Sequence, residues 1–132
     1  MRSVGWISFV LAMAQAVPAL ATEADALLGV WEQVATNAGA CPTCRLEFRA
    51  REQGLSVTAN NGWTATLEGS RGSDIVGVGR WVAAKRTWVA GRPFTIGFRL
   101  DGDRLGMTMT VDTGAGPKRV VRGIYKRAWQ GV

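Results

Sequence analysis

The sequence contains no histidine, two cysteines, one tyrosine and four prolines in 132 residues. The missing histidine excludes a Ser-His-Asp triad, a Cys-His pair and any His-ligated zinc or haem. Two cysteines cannot supply a four-cysteine metal site. The carboxylates form no convincing acid/base pair: Asp101 and Asp103 flank Gly102 and read as turn residues, and Glu47 and Glu52 stand among arginines. Asp101-Gly102-Asp103 is too short for a calcium loop. These absences predict no metal, no cofactor, no catalytic residue and a protein that binds rather than catalyses. Repeats, linkers and low-complexity tracts are absent as well.

The apolar fraction, 47%, is too high for a disordered chain, and the length allows a single domain. Residues 1–21 have the layout of a secretory signal. Arg2 precedes an apolar run from Val4 to Val17, Pro18 breaks it, and Ala19-Leu20-Ala21 ends it with small residues. Cleavage after Ala21 leaves residues 22–132 as one domain. It removes Arg2, so 15 basic side chains then face 10 acidic ones, a net charge of +5. No second apolar run is long enough to span a bilayer as a helix. The expected location is secreted or periplasmic.

Period-two alternation recurs along most of residues 22–132, the mark of half-buried strands. Phe94, Ile96, Phe98 and Leu100 alternate with Thr95, Gly97 and Arg99. After the Asp101-Gly102-Asp103 turn, Leu105, Met107, Met109 and Val111 alternate in the same way. Further strands are predicted at 29–36, 44–50, 55–59, 63–68, 74–83 and 118–127. Asn61-Gly62 marks the hairpin between the third and fourth. Residues 69–73 read as a loop, and 85–93 as a basic connection with one irregular strand near Trp88. A single helical turn fits 23–28. The expectation is an all-β, about eight-stranded antiparallel up-and-down barrel.

Ala26-Leu27-Leu28-Gly29-Val30-Trp31 puts a short apolar turn before Gly-x-Trp at the start of the first strand. The pattern resembles the lipocalins and the wider calycin group of avidin-like and fatty-acid-binding barrels. Tyr125-Lys126-Arg127 resembles the ending of small secreted lipocalin-like domains of bacteria. The resemblance implies that Trp31, next to Gly29, closes one end of the barrel. It also implies that a basic residue of the last strand, Arg122 or Arg127, packs across the Trp and bonds to the chain of the opening turn.

Cys41-Pro42-Thr43-Cys44 is a CxxC, but it sits in a loop before a strand, with no βαβ pattern. A small disulfide in an oxidising compartment accounts for it better than redox chemistry, and contributes about 1–2 kcal/mol.

Two further clusters bear on function. Phe48, Val57, Phe94, Ile96, Phe98, Leu105, Met107 and Met109 are predicted to point inward, either as a filled core or as the lining for an apolar ligand. Trp81, Lys85, Arg86 and Trp88 interleave aromatic and basic side chains in the least strand-like segment and are candidates for partner contact. The basic excess suggests an acidic envelope component or protein partner; in an exported chain nucleic acid is not expected. The leading expectation is therefore an exported, non-enzymatic, lipocalin-like protein holding a small apolar ligand or lipid. The alternative is a periplasmic protein-binding module or inhibitor acting through loops and a basic face.

Overall fold

A computed structural model describes residues 24–82 and 88–129. Eight strands run in order: β1 (Gly29–Thr36), β2 (Arg45–Ala50), β3 (Leu55–Ala59), β4 (Trp63–Arg71), β5 (Asp74–Trp81), β6 (Pro93–Asp101), β7 (Arg104–Val111) and β8 (Arg119–Arg127). Each pairs antiparallel with the next, and β8 returns to β1, closing an up-and-down barrel. One helical turn, 24–27, precedes β1. The expected signal segment, 1–21, lies outside the described residues. Among the described residues, no helix is long and apolar enough to cross a membrane.

The alternation of the sequence becomes alternation of burial. On β7, Leu105, Met107, Met109 and Val111 are buried; on β3, Leu55, Val57 and Ala59 are. The outward positions carry Arg45, Glu47, Arg49, Thr58, Thr64, Thr95 and Arg99. The inside is apolar, whereas the outside mixes these charged and hydroxylated side chains with exposed Val34, Val78, Val120 and Ile124. At the centre Phe48 and Phe98 meet edge to face with centroids 5.0 Å apart.

Three expectations need correction. Residues 69–71 are not a loop. β4 continues past a bulge between Leu67 and Gly69 and pairs as Gly69↔Val76, Ser70↔Ile75 and Arg71↔Asp74. This end of the hairpin overhangs the core, so pairing continues where burial, the source of the alternation, has stopped. The strand expected near Trp88 is a turn, in which the Arg92 amide donates to the Val89 carbonyl at 2.9 Å. Leu100 has the inward parity of β6 but lies past the core at the barrel's end, 41% exposed.

β5 is also unusual. Its inward positions are Ile75, Gly77, Gly79 and Trp81, while Val76 and Val78 face outward. A Cβ on Gly77 would overlap the carbonyl oxygen of Thr66, and one on Gly79 would overlap that of Thr64 and the Phe94 ring. The two glycines let β4 and β5 cross closely and make room for Phe94.

The base of the barrel is sealed. Trp31 is buried, and its indole N–H donates to the Leu27 carbonyl at 2.9 Å. Arg127 lies over the Trp31 ring, 4.2 Å from its centroid. Its guanidinium donates to the carbonyls of Ala26 and Leu28. Gly29 has φ +109°, and a Cβ there would press on the Arg127 guanidinium at 3.2 Å. Glycine therefore serves both the backbone turn and the passage of the arginine. Arg127 fills the role that the sequence left open between two residues. Arg122 does not: it is exposed at an outward position of β8, and its backbone amide binds the Asn37 side chain at 2.8 Å.

Candidate binding site

The loops 37–44, 60–62 and 112–118, with residues 82 and 88–92 of the connection after β5, lie at the end opposite Trp31. They leave a mouth with a cavity of about 440 Å³. Its walls are Trp63 at the start of β4, Trp81 at the end of β5, and Trp88 and Val89 from the turn beyond. Met107, Met109, Val121 and Tyr125 form the inner surface, and loop 38–41 forms one side. The volume is within the range of small-molecule sites.

The aromatic wall is built in layers. Trp63 packs edge to face on Phe94 at 5.5 Å and on Trp81 at 6.5 Å. Trp63↔Trp81 is a register pair of β4 and β5, so the hairpin itself sets the two indoles side by side. Trp88 is 44% exposed at the edge. The Arg119 guanidinium lies over its ring, 4.5 Å from the centroid.

Polar groups in the mouth are few and uncharged. The Tyr125 hydroxyl donates to the Gln33 side-chain carbonyl at 3.3 Å and lies 3.9 Å from the Met107 sulfur. Burial pushes the Tyr125 pKa up to about 12. The buried Trp81 indole nitrogen has no hydrogen-bond partner among the described residues. A buried donor without an acceptor costs about 1–3 kcal/mol.

A larger depression, about 690 Å³, lies on the outer face of β3 to β7. It is floored mainly by outward residues such as Thr58, Thr66, Val78 and Thr95, and is open to solvent. Apart from the inward-facing Phe94, it has no aromatic residue and no unpartnered buried donor. The mouth is therefore the stronger candidate.

The sequence-derived sets are divided by the structure. Phe48, Val57, Phe94, Ile96, Phe98 and Leu105 belong to the packed core and do not line the mouth; Met107 and Met109 belong to both. Trp81 and Trp88 come together, but Trp81 faces inward as part of the cavity wall rather than outward toward a partner. Lys85 and Arg86 lie outside the described residues. The lining residues missed by sequence reasoning include Gln33, Trp63, Val121 and Tyr125. Trp63 had a usable signal, since it directly follows the Asn61-Gly62 turn.

Cys41 and Cys44 are disulfide-bonded, with Cα atoms 5.3 Å apart, and Cys41 touches the mouth. The pairing fits a compartment that does not reduce disulfides.

The molecule is thus an eight-stranded antiparallel barrel, consistent with a calycin-like fold, sealed at one end and hollow at the other. Compared with protein-family models, curated proteins and solved structures, the chain matches none of them.

Proposed function

We propose that this is an exported, lipocalin-like binding protein that holds a small, largely apolar molecule in the barrel mouth and catalyses no reaction. The observation that carries the reading is a cavity of about 440 Å³ walled by Trp63, Trp81, Trp88 and Met109, with no charged side chain among its described lining. The lower barrel is filled by side chains, so among the described residues the room inside the barrel lies at the mouth. The apolar signal-like segment 1–21 and the Cys41–Cys44 bond support export. Gly29, Trp31 and Arg127 support kinship with the calycins.

Titration with the neutral fluorophore phenylnaphthylamine tests the reading. Saturable uptake is expected, with quenching of tryptophan emission, and Trp81→Ala should weaken it roughly tenfold while the chain stays folded. Lack of uptake by the wild-type protein would overturn the reading. A second reading, a protein-binding module, draws on the exposed Trp88 at the loop edge. Under it, Trp88→Ala abolishes capture of a protein partner while fluorophore uptake is absent from the start.

A further inference from the structure

The charge distribution around the mouth narrows the ligand. No charged side chain lines the cavity among the described residues. Its rim is different. The adjoining loops and strand ends carry Arg92 and Arg119, while Arg80, Lys118 and Asp112 of the same segments border the depression on the outer face. Two of these groups are already engaged. Arg80 donates to the Gly91 carbonyl at 2.8 Å, and Asp112 accepts from the Gly114 amide at 2.9 Å.

Arg119 is the rim cation best placed for a guest. It opens β8 at an inward-parity position, the same face as Val121 and Tyr125. Its guanidinium rests on Trp88, which is itself part of the cavity wall. It forms no hydrogen bond or ion pair among the described residues. Stacking fixes the plane of the fork and leaves its N–H edge available, the arrangement suited to a carboxylate or phosphate. An anion deeper in the uncharged mouth would be desolvated without a counter-charge.

We propose, resting on the mouth as the binding site, that its ligand is an anionic amphiphile. The apolar body lies between Trp63, Trp81 and Met109, and the single anionic group stays at the rim on Arg119. A free fatty acid and a lipid headgroup offer the same chemistry, an apolar chain ending in one anion.

Two fluorophores with nearly the same ring skeleton separate charge from shape: anilinonaphthalene sulfonate and the neutral phenylnaphthylamine. The wild-type protein should favour the sulfonate by about fivefold at low ionic strength, and less as salt is added. Arg119→Gln should remove that preference, weakening uptake of the sulfonate by about fivefold and of the neutral compound by much less. Arg122→Gln, at an outward position, should change neither. Displacement by decanoate or by lysophosphatidylglycerol, but not by decanol, supports the proposal, and the stronger competitor identifies the anion. Equal affinity for the two fluorophores, or a preference that survives Arg119→Gln, overturns it while leaving the mouth as the site. Failure of both to bind overturns the site itself.

Discussion

The two ends of the barrel use the same parts for opposite ends. β8 begins with Arg119 and finishes with Arg127, and each guanidinium lies over a tryptophan, at 4.5 and 4.2 Å. At the base the pair is saturated. Arg127 binds two carbonyls, and the Trp31 indole N–H binds a third. At the mouth Arg119 has no such acceptor, and the Trp81 indole N–H has no partner among the described residues. What makes a stacked Arg–Trp pair structural or receptive is therefore the backbone beside it. The turn 24–28 supplies carbonyls at the base, and no described residue supplies one to the Arg119 guanidinium.

The contrast predicts where stability resides. Trp31→Ala should cost about 3–5 kcal/mol, because it removes a fully buried indole and orphans the Leu27 carbonyl. Urea denaturation measures this. A loss below about 1 kcal/mol would mean that the base is not the keystone that its packing suggests.

Next in size is a pH effect at the floor of the mouth. Tyr125 is 3% exposed, and burial lifts its pKa from 10.0 to about 12. The unfolded chain ionises first, so the contribution is constant below pH 10 and is lost as pH rises from there to about 12. The two-unit gap corresponds to about 3 kcal/mol. Tyr125 is the only tyrosine, so phenolate absorbance reports it alone. Tyr125→Phe should flatten this part of the pH–stability curve. Titration at the ordinary value would show that water reaches the floor of the mouth. A bound ligand that excludes water should move it up again.

The two arginines give the most direct comparison. Arg127→Gln should cost about 2 kcal/mol, since it breaks two bonds to carbonyls and one cation–π contact. Arg119→Gln should change stability by no more than about 0.5 kcal/mol. Thermal denaturation of both variants decides the point, and equal losses would erase the distinction between the ends.

The base was more legible in the sequence than the mouth. Gly29-x-Trp31 is local, and its geometry follows from a few adjacent residues. The choice between Arg122 and Arg127 was not readable, because β8 is apolar on both faces: Val120 and Ile124 point out, Val121 and Tyr125 in. On β5 the inward face is partly empty. Gly77 and Gly79 occupy it, while Val76 and Val78 stand outside, so the apolar pattern there gives no hint that Trp81 faces in. The mouth draws its walls from segments as distant as Gln33 and Tyr125. No single stretch carries its signature, and only the register of a closed barrel assembles it.

A modest loss of stability tests whether the mouth is also the softer end. The Cys41–Cys44 bond closes a short loop, so its removal in a Cys41→Ala, Cys44→Ala variant should cost only about 1–2 kcal/mol. The loop keeps other anchors near β2. Asn60 accepts from the Arg45 amide and donates to the Thr43 carbonyl, both at 2.8 Å. Loosening should therefore fall on residues 38–41, which wall the mouth, between Asn37, bound to the β8 backbone, and Thr43. Hydrogen exchange should show faster amides in 38–41 with the Trp31 indole N–H still protected. If protection at Trp31 fell equally, the two ends would be a single cooperative unit. If only the loop responds, the mouth can rearrange around a guest while the base holds the barrel closed.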